Sequence, residues 1–239
     1  AIFNTAIGSK VLSANTIGLA NTGLGFLALT ANISGNLNTG LGAGVLSENT
    51  TGSFNCAFGT SSLQSNISGS SNVGIGIYAL QELIDGDNNV AIGQRAGDNL
   101  ASGSGNVCLG YEAGYNETAS NRLYISNSNA DGSNALVYGE FDNQVFRING
   151  NVGIGESPGS YKLSVLHNSF GLKIQNTNYP TNSWEFFQAP TGNLDLYIQS
   201  GSNIGSFDYV SGVYTALSDR RMKENIQPMN PVLANVMKL

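Results

Sequence analysis

Few side chains in this chain are able to do chemistry, and most of them stand alone. His167 is the only histidine, so neither a histidine-based triad nor a zinc centre can be assembled within one chain. Glycosidic cleavage needs two carboxylates across a cleft, and the pairs on offer, Glu140 with Asp142 and Glu185 with Asp195, are generic. Asp85-Gly86-Asp87-Asn88-Asn89 gathers oxygens of the kind calcium takes, but it lacks the closing glutamate of an EF-hand loop and reads as a solvated turn. Gly23-Leu24-Gly25 and Gly40-Leu41-Gly42-Ala43-Gly44 look like pieces of a phosphate-binding loop, yet no helix-forming stretch follows them. Trp184, Phe186, Phe187, Tyr197, Phe207 and Tyr209 could stack on sugars and are read as the packing of a small β domain. No cofactor and no metal are called for.

The glycines belong to a repeat, and the repeat decides the architecture. Asn4, Asn21, Asn38, Asn55, Asn72, Asn89 and Asn106 recur every 17 residues, each followed four residues later by Gly8, Gly25, Gly42, Gly59, Gly76, Gly93 and Gly110. A second series, Gly18, Gly35, Gly52, Gly69, Gly86 and Gly103, keeps the same period. Two apolar pieces lie between the glycines, the second ending at Leu12, Leu29, Leu46, Leu63 and Leu80. Both are of strand length and too short for a helix. The expected product is an all-β solenoid or β-roll with two short strands and two turns per coil. In it, Ile7, Leu24, Leu41, Phe58, Ile75, Ile92 and Leu109 point inward, and the asparagines stack in a column. Glycine suits corners that need positive φ, and Asn32-Ile33-Ser34-Gly35 supplies turn chemistry. One inward pair per coil is a thin core against the ordering of 17 residues, so a further apolar face is expected to be shared with other chains.

Two cysteines, Cys56 and Cys108, sit 52 residues apart, three repeats plus one. Coils stacked at about 4.8 Å separate them by roughly 14 Å, beyond the ~7 Å a disulfide allows, and the one-residue offset turns them to opposite faces. Both read as small apolar fillers.

Charge is scarce and unevenly placed. Charged residues make up 11% of the 239, against about 25% in ordinary soluble domains, and Lys10 and Glu48 are the only ones before Glu82. A net charge of −6 and the absence of a basic stripe exclude a nucleic-acid surface. No apolar run approaches the roughly 20 residues that span a bilayer as a helix, so no membrane insertion is expected. Texture divides the chain into a seven-coil repeat (1–120), a β-hairpin connector (121–160), a small β domain (161–217) and a last segment (218–239). In the connector, Arg122–Ser126, Ala135–Tyr138 and Gln144–Ile148 alternate as strands do, and Asn149-Gly150 is the strongest short hairpin signal. Strands are also expected at 163–165, 172–174, 184–187, 194–198 and 213–217, with a short helix only at the end.

Asn4-Thr5-Ala6-Ile7-Gly8 and Asn89-Val90-Ala91-Ile92-Gly93 resemble the strand motif of trimeric autotransporter adhesin heads and of related phage tail-fibre repeats, over residues 1–120. The 17-residue period is longer than the usual adhesin-head repeat. The resemblance implies three chains wound about one axis. At the other end, Ser218-Asp219-Arg220-Arg221-Met222-Lys223-Glu224-Asn225-Ile226 looks like the opening of the endosialidase-type intramolecular chaperone family, modules that assist trimerisation and then cut themselves off. That resemblance implies Ser218 as nucleophile and Lys223 as its general base, with Arg220 and Arg221 lowering the lysine's pKa. Five residues turn about 140° on a helix, so the two side chains meet only if Ser218 precedes the helix.

The resulting expectation is a homotrimeric tail-fibre or adhesin-type shaft of a phage or contractile injection system. It is extracellular or on the particle surface, with tail or baseplate proteins and a host-surface glycan or protein as partners. The alternatives are a glycan-depolymerising tailspike with an intersubunit site and a precursor that cleaves itself next to Ser218.

Overall fold

The structure, a computed structural model, describes residues 2–154, 160, 162–165, 172–175, 183–188, 194–198, 202–208, 210–211 and 214–216. The chain forms two compact units, Ala1–Val152 and Gly153–Leu239.

In the first unit each coil contributes one three-residue strand: β1 (Thr5–Ile7), β2 (Thr22–Leu24), β3 (Thr39–Leu41), β4 (Cys56–Phe58), β5 (Val73–Ile75), β6 (Val90–Ile92) and β7 (Val107–Leu109). They pair in parallel, every residue opposite its counterpart in the next coil. The chain is therefore an all-β solenoid in which sequence period and spatial period coincide. Cys56 and Cys108 are both free, on opposite sides of the strand layer as the offset requires.

Only one of the two expected strands per coil forms. The second apolar piece is a turn, in which Leu12, Leu29, Leu46, Leu63 and Leu80 hold φ between 48° and 53°. A non-glycine residue in that region costs about 1–3 kcal/mol. Leu29, Leu46, Leu63 and Leu80 are fully buried, and burial of a leucine contributes a comparable 1.5–3 kcal/mol or so. Burial thus holds the backbone in a conformation that local preference opposes.

The direction of the large apolar strand residues also needs correcting. Ile7, Leu24, Leu41, Ile75 and Ile92 are exposed, and Phe58 and Leu109 half-buried; they point out of the coil. Strand alternation turns Gly23, Gly40, Ala57, Gly74, Ala91 and Cys108 inward, all buried. The interior is too narrow for more. Val45 already lies 3.1 Å from where a Cβ on Gly40 would sit. The coils approach one another as closely: at Gly25, with φ +132°, a Cβ would run into the carbonyl oxygen of Gly42.

Beyond the repeat, β8 (Arg122–Ile125) adds in parallel to β7, and β9 (Val137–Glu140) and β10 (Val145–Ile148) follow antiparallel, completing a ten-stranded sheet. Tyr124 and Tyr138 meet edge to face with centroids 5.2 Å apart and close the interior. Asn149-Gly150 does not turn a hairpin between β10 and the next strand. The Asn149 amide and side chain donate back to the Leu136 and Ala135 carbonyls, so the pair anchors the end of β10, while the tight reversal lies at 141–144, between β9 and β10.

A two-stranded sheet joins β11 (Val152–Ile154) to β12 (Leu163–Val165). The second unit contains an antiparallel meander of β13 (Leu172–Gln175), β14 (Ser183–Gln188), β15 (Leu194–Ile198), β16 (Ser202–Phe207) and β17 (Tyr214–Ala216). β16 was not expected: Ser-Asn-Ile-Gly-Ser-Phe has low strand propensity, and its neighbours on both sides supply the pairing. Among the described residues there is no helix; the expected C-terminal helix lies outside them.

Candidate functional site

Three side-chain columns run along the solenoid axis, and together they fix the outward face. In the first, the column expected from the sequence, the Asn21 amide donates to Asn4 Oδ1 at 2.7 Å and the Asn21 Nδ2 to the Gly35 carbonyl at 2.8 Å. The pattern climbs coil by coil to Asn106, whose Oδ1 accepts the Arg122 amide at 2.8 Å. Each asparagine therefore supplies the partner for a buried strand-entry amide one coil above.

The second column escaped sequence reasoning. Asn15, Asn32, Asn49 and Asn66 pass Nδ2-to-Oδ1 bonds of 2.7–2.9 Å up the turn side, and each also donates to the carbonyl of the glycine three residues on. The 17-residue spacing was visible, but the Asn-x-x-Gly signature accounted for these residues locally. The column stops where Leu83 replaces asparagine, leaving Asn66 Oδ1 buried without a partner. In the third column, side chains of Asn36, Ser53, Ser70, Asp87 and Ser104 each accept the amide one coil below. Asp87 and Asn89 are thus engaged in different columns, and the oxygens of 85–89 do not converge. Among the described residues no three His, Cys, Asp or Glu side chains gather to hold a metal.

With the interior committed, the other side of each strand is left to the surroundings. One outward column holds Ile7, Leu24, Leu41, Phe58, Ile75, Ile92 and Leu109, and beside it runs Thr5, Thr22, Thr39, Cys56, Val73, Val90 and Val107. This is an apolar ribbon in strict register on the surface of the chain, larger in extent than the scattered apolar residues of ordinary surfaces.

Charge concentrates on the turn side of the last coils. The Arg95 guanidinium lies 5.8 Å from the Tyr78 ring and 5.5 Å from the Tyr115 ring, 3.4 Å from Asp98 and 4.0 Å from Glu112. It braces three successive coils. Asp98 is nearly enclosed, its side chain 5% exposed. Burial pushes its carboxyl up to about 6; Arg95 pulls against this, and Glu82 and Glu112 add to it. Cys108, buried near Glu117, is pushed up to about 12 and stays an inert thiol.

Of the candidate carboxylates, Glu140 and Asp142 serve structure. Glu140 accepts bonds from Asn143 Nδ2 and Tyr138 Oη, which hold its carboxyl below the usual range, and Asp142 pairs with Arg122 at 2.9 Å. In the second unit Asp195 pairs with Phe187 and not with Glu185. A small cleft of about 60 Å³ is lined by Gly114, Glu117, Tyr124 and Asp131. Ser218 and Lys223 lie outside the described residues. No protein-family model, curated protein or solved structure matches this chain.

Proposed function

We propose that this chain is the shaft of an attachment fibre, a homotrimer of tail-fibre or adhesin type that displays its ends to a host surface from a phage or injection particle. The observation that carries the reading is the outward ribbon. Aliphatic or aromatic residues occupy the same surface position in seven successive coils, and a surface of that kind in water calls for a cover. A cover that matches a 17-residue period along the whole length is best supplied by another copy in parallel register. The asparagine columns fit the mechanical role, since every coil is tied to the next by side-chain as well as backbone bonds. The resemblance at Asn4–Gly8 and Asn89–Gly93 supports the same assignment.

Sedimentation at micromolar concentration tests it, with a mass of three chains expected. Leu41→Asp together with Ile75→Asp should release monomers with unchanged β-sheet circular dichroism, because both side chains already face solvent in the single chain. A monomeric wild-type chain would sink the proposal.

A further inference from the structure

The apolar ribbon does not end with the repeat. On β8, Leu123 and Ile125 stand opposite Val107 and Leu109, continuing both outward columns. The chain then reverses twice, and the same face persists. Val137 of β9 pairs with Ile125 and Ile148 of β10, while Gly139 pairs with Leu123 and Phe146. The inner side of these strands is assigned independently: Tyr124 and Tyr138 are buried against each other, and the Arg147 guanidinium lies 5.5 Å from the Tyr138 ring. Phe146 and Ile148, alternating with Arg147, therefore belong to the outer side. Phe146 is 67% exposed, on the last strand of the sheet, an edge left unpaired among the described residues, where natural proteins usually place charge or proline.

The second outward column is also graded. It reads Thr in β1–β3, Cys in β4, Val in β5–β7 and Leu in β8, so its apolar character rises toward the connector. From the continuity and the gradient we infer that the interface between copies runs on through β8–β10, and that its connector end carries most of the association. This rests on the reading that copies associate through the ribbon. The occupant is a second copy because only another copy presents a repeat followed by the same two reversals at the same level.

The experiment compares two double variants of the full chain by sedimentation over a concentration series. Phe146→Asp with Ile148→Asp is expected to weaken association at least 100-fold, and Thr5→Asp with Ile7→Asp less than 10-fold. As a measurement that does not depend on weakening the assembly, Phe146→Cys in a Cys56→Ser background is expected to be joined between chains by a short bifunctional maleimide. Ile33→Cys, exposed away from the ribbon, is not. An oligomer indifferent to the Phe146 and Ile148 changes, or weakened as much at Thr5 and Ile7, overturns this inference alone. Absence of linkage at Phe146→Cys in an oligomeric protein does the same. A wild-type monomer overturns it together with the proposed function.

Discussion

Along the strand side of the solenoid interior asparagine is unbroken from Asn4 to Asn106, whereas along the turn side Asn15, Asn32, Asn49 and Asn66 give way to Leu83 and Leu100. The two columns share residue type, period and burial, so the difference lies in what their partners need. A strand-side asparagine accepts the backbone amide of the next coil's asparagine, a donor with no other acceptor. A turn-side asparagine bonds chiefly to its own kind. Its backbone amide is already held by the carbonyl three residues back, as Asn32 is by Leu29 and Leu83 is by Leu80. The glycine carbonyls it reaches are served by the strand side too: Gly52 accepts from both Asn38 and Asn49. Dispensability follows from redundancy of partners and not from exposure.

The strongest way to break this comparison is Asn55→Leu. It leaves the Asn72 amide buried without an acceptor, a cost of about 1–3 kcal/mol, and removes the side chain's own bond to the Gly69 carbonyl, about 1 kcal/mol net. The new leucine stands between Asn38 and Asn72 in its column, with no apolar neighbour there of the kind Leu83 offers at Asn66. The expected loss in denaturant unfolding is about 2–4 kcal/mol, measured at fixed chain concentration because assembly contributes to stability. A neutral result would mean that the strand side is as redundant as the turn side.

A smaller effect sharpens the comparison in the upper coils, where the turn side carries charge. Asp98 has its carboxyl raised from 3.8 to about 6, first by burial. A raised acid binds its proton more tightly folded than unfolded, so its contribution to stability is full below about 4 and is lost as pH rises through about 6. Wild type minus Asp98→Asn isolates that contribution from Asp131, Glu140 and Asp208, whose lowered carboxyls act in the opposite sense. Relative to wild type, Asp98→Asn should gain in thermal midpoint between pH 4.5 and pH 7.5. The ring contacts and the Glu112 pairing of Arg95 remain in the variant. A pH-independent difference would show that Asp98 titrates normally.

Much of this was legible in the sequence, and the failures share a cause. The period, the first strand of each coil, the strand-side column and the opposite faces of Cys56 and Cys108 all follow from spacing; the second expected strand is a turn. Direction does not follow from spacing. Burial preference alone points Ile7 and its counterparts inward, because large apolar residues usually lie inside. The contrary signal, that Ala, Gly and Cys alone occupy the middle of every strand, is a statement about interior width that spacing does not express. Leu46 at φ 48° is beyond local preference altogether, since only its burial against neighbouring coils makes the conformation tolerable. The turn-side column was hidden by a correct but partial account: Asn32 does bond to the carbonyl of Gly35 as a turn residue would, and it also bonds to Asn15.

The finest test is Asn66→Leu, at the end of the broken column. Asn66 donates to Asn49 Oδ1 at 2.7 Å and to the Gly69 carbonyl at 3.0 Å, and its own Oδ1 faces Leu83 unpaired. Replacing it leaves Asn49 Oδ1 as the orphan instead, so the number of unpaired buried acceptors does not change. Gly69 keeps its bond from Asn55. The lost bonds, about 1 kcal/mol each net, are offset by burial of a leucine on Leu83, about 1.5–3 kcal/mol. The expected change is within about 1 kcal/mol by denaturant unfolding, against several times that for Asn55→Leu in the neighbouring column of the same coils. If the two variants cost the same, the length of the turn-side column is itself under constraint, and the step from Asn66 to Leu83 marks a boundary the fold requires.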